Sequence, residues 1–163
     1  MPSYVIMGVA GCGKSSVGQA IADQIGATFV DGDDLHPAAN IAKMSAGDPL
    51  NDADRAPWLQ AVGTALASTA SPCIIACSAL KKSYRDIIRT NANTPVTFLH
   101  LHGDRAVIEG RMSAREGHFM PVSLLDSQFA ALEPLEGDEH HITVDIDQPF
   151  QAVVDGFTSQ MKG

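Results

Sequence analysis

Positive charge is scarce in this chain. Eleven Lys and Arg stand against 19 Asp and Glu, a net −8 at neutral pH, which excludes a surface built for nucleic acid or an anionic membrane. Cysteine is scarcer still: Cys12, Cys73 and Cys77 are an odd number with no paired C-x-x-C spacing. Neither a disulfide framework nor a zinc site is expected from them, and Cys73 and Cys77 read as small apolar residues of a strand. No apolar run approaches the length of a membrane span, and the start, MPSYVIMGVAG, lacks the basic-then-apolar order of a secretory leader. The expectation is a soluble cytoplasmic protein. Repeats, low-complexity tracts and linkers are missing as well, and 163 residues at 45% hydrophobic composition suit one domain over 1–163 with a sizeable core.

The few cations are not scattered. Lys81, Lys82, Arg85 and Arg89 form one group, and Arg105, Arg111 and Arg115 another. Two local concentrations of positive charge in an acidic chain point to a small anion as ligand.

Short runs rich in Val, Ile and Phe recur at 4–7, 28–30, 73–77, 96–101 and 142–146. Nearly continuous hydrophobicity of this kind, with long helical stretches between, predicts buried parallel strands joined by crossover helices. The helices are expected at about 14–25, 35–46, 54–69, 80–91, 104–116, 121–131 and 150–161. Asp104 fits an N-cap, and Asp54 with Pro57 fits a first turn. The pattern is βαβ repeated: a three-layer α/β domain.

Directly after the first run stands GVAGCGKS, which satisfies G-x-x-x-x-G-K-[ST] with Gly8, Gly13, Lys14 and Ser15. Such a loop turns backbone N–H groups, here those around Gly11, Cys12 and Gly13, toward phosphates at a helix N-terminus. Lys14 is then expected to reach the β and γ oxygens, and the Ser15 hydroxyl to ligate Mg²⁺. Ser16 follows in the same first turn. The predicted ligand is ATP with Mg²⁺. Motor and switch ATPases end a further apolar strand in an acid for the metal, whereas CIIACSAL has none. The candidate acids lie instead in FVDGDDLHP, which sets Asp31, Asp33 and Asp34 within four positions. If that strand lies beside the first, Asp31 and Asp33 emerge at the edge where ligands of open α/β sheets bind. One is then available for the metal and one for an acceptor hydroxyl, as phosphoryl transfer requires. Asp34 is expected to cap the helix carrying Asn40 and Lys43.

Taken together, GVAGCGKS, FVDGDDLHP, NIAKMSAGDPLNDADRAPWL, CSALKKSYRDIIR, RMSAREGHFMP and VDIDQP resemble the thermoresistant-type gluconokinases, relatives of shikimate kinase and the nucleoside monophosphate kinases. The resemblance implies a P-loop NTPase fold with a five-stranded parallel sheet and a helical lid at about 111–121. It also implies transfer of the ATP γ-phosphoryl group to the 6-hydroxyl of D-gluconate, and a homodimer. On the matching positions, Asp31 helps to hold Mg²⁺ and Asp33 meets the substrate hydroxyl. His36 is either a substrate contact or a capping or surface histidine. Cys12 stands where many relatives have Ser, which raises the prospect of thiol sensitivity in the cradle.

Gluconate carries one carboxylate and several hydroxyls, so its site needs a cation and polar groups. Positions 81, 85 and 89 share one helical face; Lys81 and Arg85 are the expected carboxylate ligands, and Lys82 or Arg89 the solvated ones. Arg55 is a second candidate, with Trp58 either a wall of the site or plain core. Arg111, Arg115 and His118 share a face leading into Gly117 and Pro121. By the resemblance Arg111 and Arg115 belong to the lid and neutralise phosphate charge in the transition state; the alternative is a surface salt-bridge ladder with Glu109 and Glu116. Gln148 and Pro149 are expected on the adenine side, Pro149 also fitting the start of the last helix. The rival activities are a kinase for shikimate or adenylylsulfate, or an ATP-gated regulatory module.

Overall fold

In a computed structural model, the described residues are 3–9, 12–48, 50–70, 72–113, 122–137 and 139–161, with the side chains at 111–113 and 122–124 left aside. Five strands, β1 (Ser3–Met7), β2 (Thr28–Asp31), β3 (Cys73–Ala76), β4 (Val96–His102) and β5 (His141–Asp145), form one sheet in the order β2-β3-β1-β4-β5. All four pairings are parallel. The expectation that β2 borders β1 is corrected: β3 inserts between them, with Val5 opposite Ile75 and Val30 opposite Ile75 on its other side. The crossover changes direction at β1, so the loop after β1 opens at the switch point where ligands of such sheets bind.

Seven α-helices lie among the described residues: α1 (Lys14–Ile25), α2 (Ala38–Ser45), α3 (Asp52–Ser68), α4 (Lys82–Ala92), α5 (Arg105–Ser113), α6 (Val122–Ala131) and α7 (Phe150–Met161). Alternate strand residues feed two cores. Ile6, Ile74, Leu99 and Leu101 pack with Val17 and Ile21 of α1 and Val153, Val154 and Phe157 of α7. Val5, Met7, Ile75 and Phe98 pack with Trp58, Leu59 and Val62 of α3 and Tyr84 and Ile88 of α4. Burial on both faces is why the central strands β1, β3 and β4 read as continuous apolar runs rather than alternating ones. Cys73 and Cys77 belong to the second core, as expected.

Three local expectations need correction. The helix expected at 35–46 is split: Gly32–Leu35 forms a 3-10 turn and α2 begins only at Ala38, after Pro37. The residue before a proline is pushed out of the helical region, and His36 is indeed extended. Asp34 therefore caps nothing; Pro37 holds the N-cap position of α2, while Asp31 caps the 3-10 turn by accepting from the Asp33 N–H at 3.0 Å. Finally, Pro57 does not lie in the first turn of α3, although Asp54 does: the helix starts at Asp52, close to the expected 54. Asn51 Oδ1 accepts from Asp54 N at 2.8 Å and Asp54 Oδ2 from Asn51 N at 2.9 Å, a reciprocal capping box that moves Pro57 into the second turn.

The contact of α3 with α4 is close. A Cβ at Gly63 would lie 2.6 Å from Ile88 O and 2.7 Å from Asn91 Cβ, so only glycine lets the two backbones approach this far. No helix among the described residues is long and apolar enough to cross a membrane.

Candidate active site

The loop after β1 is shaped by Gly8 and Gly13. Gly8 sits at φ +151°, and a Cβ there would meet Cys12 Sγ at 2.8 Å and Leu101 O at 2.9 Å. Gly13 is left-handed at the N-cap of α1 and makes no side-chain cap, so the first-turn N–H groups are left to other acceptors. The first turn of α1 also carries no acidic residue, so no acid of that turn competes for its positive end. Lys14 Nζ donates to Gly8 O at 3.1 Å and Val9 O at 3.2 Å. Ser15 and Ser16 are exposed on the same turn. These features fit a phosphate group. Cys12 is 1% exposed and belongs to the first core, a burial that counts against the expected thiol sensitivity.

Across the edge of the sheet, the DGDD segment is held by Trp58, whose Nε1 donates to Gly32 O at 2.8 Å. Asp33 is exposed, and with Asp31, Lys14 and Ser15 it lines a cleft of about 210 Å³ completed by Ala76, Cys77, Ser78 and Gln128. The carboxylates and the phosphate-loop residues, far apart in sequence, thus face one space. Asp31 has one oxygen on the Asp33 N–H, which leaves the other for a cation. Mg²⁺ in phosphoryl-transfer sites keeps waters and takes one or two carboxylates plus phosphate oxygens. Ser15 and Asp31 suit that requirement, and no group of three or more potential metal ligands occurs among the described residues. Burial pushes the Cys77 thiol up to about 12, against smaller opposing effects of the Ala79 backbone and Lys14, so it lines the cleft as a neutral wall.

His36 is neither a side-chain cap nor a free surface group. Its ring stacks on Trp58 with centroids 4.1 Å apart and planes 14° from parallel. Asn40 Nδ2 lies 3.3 Å from its Nδ1; with the amide as donor, the neutral ring carries its proton on Nε2. Desolvation lowers its pKa, Asp33 opposes, and Arg55 adds to the lowering. Trp58 is buried in the second core, as one of its two readings expected, and it is not among the residues that line the cleft.

Of the expected carboxylate ligands, Arg85 is corrected. Its side chain is fully buried and faces Glu139. Nε donates to Glu139 Oε2 at 2.7 Å and Nη2 to Oε1 at 3.2 Å; Nη1 serves Ala79 O and Leu80 O, and Nη2 also Glu133 O and Pro134 O. With every nitrogen engaged by the protein itself, Arg85 has nothing to offer a ligand. Arg89 shares Glu139 at 2.9 Å and pairs with Asp86, and Lys82 reaches Glu136 at 3.7 Å, so neither is merely solvated. Lys81 and Arg55 remain half-exposed and converge on Tyr84. Tyr84 and Asp52, which joins them, went unsingled in sequence although both lie inside the quoted motifs. Ser78 likewise lies inside CSALKKSYRDIIR, whereas Gln128 lies in none of the quoted motifs.

At the β5 end, Gln148 Nε2 donates to Asp145 O at 2.6 Å, and Pro149 O accepts from Val153 N at the start of α7. Both residues are exposed. Asp104 takes the N-cap position of α5, its carbonyl accepting from Ile108 N. Gly11, Arg115, Gly117, His118 and Pro121, and so most of the expected lid, lie outside the described residues, as does the Arg111 side chain.

The chain matches the shikimate kinase family over residues 10–155. It is 50% identical to the thermoresistant gluconokinase of Escherichia coli (strain K12), over 93% of this chain and 88% of that protein. It is 46% identical to the gluconokinase of Gluconobacter oxydans (strain 621H), over 86% and 80%. The crystal structure of a gluconokinase from Sinorhizobium meliloti 1021 superposes with a TM-score of 0.91 at 48% identity, covering 99% of this chain and 91% of that one. Shikimate kinase from Aquifex aeolicus shares the fold, at a TM-score of 0.65 and 13% identity over 99% and 96% of the two chains. On the strength of these likenesses, this α/β chain belongs to the gluconokinases, within the shikimate kinase family of P-loop kinases.

Proposed function

We propose that this protein transfers the γ-phosphoryl group of ATP to the 6-hydroxyl of D-gluconate, giving 6-phospho-D-gluconate. The observation that carries the proposal is the single cleft lined by Lys14, Ser15, Asp31 and Asp33, because phosphoryl transfer needs a phosphate cradle, a metal site and an acceptor-orienting acid at one place. The relatives' names supply the acceptor. In this reading Gly8, Gly11, Cys12, Gly13, Ser15 and Ser16 supply the cradle, and Lys14 exchanges its carbonyl partners for phosphate oxygens. Ser15 and Asp31 hold Mg²⁺, which when bound neutralises charge on the phosphates. Asp33 accepts a hydrogen bond, and then the proton, from the hydroxyl. His36, Arg55 and Lys81 contact the sugar acid, Gln148 and Pro149 border the adenine, and Arg111 and Arg115 stabilise the transferring phosphoryl group. A homodimer belongs to the same reading.

The test is a coupled ADP-release assay with D-gluconate, shikimate, adenylylsulfate and nucleoside monophosphates at matched concentrations, with and without Mg²⁺. Gluconate-dependent, Mg²⁺-dependent release is expected. Faster turnover of another acceptor, or ATP loss indifferent to any acceptor, refutes the assignment.

A further inference from the structure

The first turns of α3 and α4 enclose a small electrostatic arrangement separate from the capping hydrogen bonds of α3. Asp52 Oδ1 accepts from the Tyr84 hydroxyl at 2.5 Å and from Lys81 Nζ at 3.3 Å. Arg55 Nη1 donates to the same hydroxyl at 3.2 Å, and the Arg55 guanidinium and Lys81 ammonium lie 5.7 and 5.4 Å from the Tyr84 ring centroid. Two cations and a phenol thus surround one carboxylate. The α3 capping box is complete through Asn51 and Asp54; Asp52, whose charge in the first turn also favours that helix end, directs Oδ1 to Tyr84 and Lys81 instead of a capping hydrogen bond.

The exposure of the partners separates this cluster from the Arg85–Glu139 pair. The Asp52 side chain is 66% exposed and that of Lys81 33%, against 0% and 1% for Arg85 and Glu139. An exposed ion pair contributes little and opens readily, whereas opening a buried one strands a charge. The Asp52 cluster is therefore the exchangeable one.

We propose that Lys81, Arg55 and Tyr84 form the recognition site for the carboxylate of an open-chain sugar acid, and that Asp52 is a resident carboxylate which the substrate's own displaces into solvent. The inference rests on the gluconate reading above. A sugar acid replaces the lost ion pair with an equivalent one. A neutral polyol of the same shape has no charge to offer in exchange and is disfavoured, so the resident acid sacrifices affinity for selectivity.

Apparent KM values for D-gluconate and for its neutral amide, D-gluconamide, in the unaltered enzyme and in Asp52→Asn decide the matter. Removing a like charge about 6 Å from a bound carboxylate, at an effective dielectric between roughly 40 and 80, lowers the gluconate KM by about three- to tenfold. That fall should exceed any change for the amide. In Lys81→Met the gluconate KM should rise more than that of the amide. A gluconate KM that is unchanged or raised in Asp52→Asn, or a fall shared equally by the amide, overturns the proposal and makes Asp52 a fixed bridge. Absence of gluconate turnover by the unaltered enzyme defeats the parent reading instead, and the two failures are told apart in the same assay.

Discussion

Arg85→Met removes the central donor of a buried network, and its cost can be worked from the geometry. The substitution leaves Glu139, 1% exposed at its side chain, with Arg89 at 2.9 Å and the Glu136 N–H at 3.2 Å as its remaining partners. The carbonyls of Ala79, Leu80, Glu133 and Pro134 lose a shared donor. Breaking a buried pair by removing one partner costs about 3–5 kcal/mol, a large part of the roughly 5–15 kcal/mol that holds a domain together. Urea denaturation followed by circular dichroism should show the midpoint falling accordingly, with the slope unchanged. Arg85→Met with Glu139→Leu, which removes both charges, should recover part of the loss. Acid should mimic the first variant. Burial alone would raise the Glu139 carboxyl, but hydrogen bonds from Arg85 and Arg89 outweigh it and bring it from 4.5 down to about 2. Its contribution is therefore complete above about pH 4.5 and lost as pH falls through about 2. A loss below about 1 kcal/mol in Arg85→Met would refute the clamp. A folded Arg85→Lys of unchanged stability whose gluconate KM rises tenfold would return Arg85 to the substrate.

The strand-tip acids should be separable. Asp31→Asn should raise the Mg²⁺ requirement with gluconate KM nearly intact, and Asp33→Asn should lose roughly 10²–10⁴ in kcat as expected of a general base; identical kinetic profiles would refute the division. Lys14→Ala should lower kcat by on the order of 10² or more while the fold survives, and a near-normal kcat would remove Lys14 from the transition state. Burial, reinforced by His102, Arg85 and His141, pushes His100 from 6.5 down to about 4. Between those values the unfolded chain binds the extra proton, so stability should fall by on the order of 3 kcal/mol as pH drops through the window and level off below it; His100→Gln should flatten that slope, and an unaltered slope counts against the assignment.

Much of the frame was legible because its causes are local. The five apolar runs became the five strands, and G-x-x-x-x-G-K-S became the turn into α1, because glycine freedom and apolar periodicity act within a few residues. Contacts across long sequence separations were not legible. Arg85 shares a helical face with Lys81, and what removes it from the site is Glu139, 54 positions away, whose meeting with it depends on how the segment after α6 returns to the sheet. The pairing of Asp52 with Tyr84, 32 positions apart, was hidden for the same reason. Asp34 was misassigned because three acids stood before one helix and only the proline at 37 decides where that helix begins.

The bare backbone at Gly63 has a mechanical consequence. Arg55 lies eight positions before it on α3, a distance of roughly 12 Å at the rise of an α-helix, while Lys81 and Tyr84 ride at the start of the other helix. The crossing point against Ile88 O is thus the fulcrum of a lever whose far end carries half of the proposed grip on a sugar acid. A side chain added at 63 that tilts α3 by about 5° shifts that end by about 1 Å, a displacement large enough to damage catalysis from a distance. Altering which acid is accepted is therefore a matter of residues at the tips of the two arms, while the pivot itself admits only hydrogen.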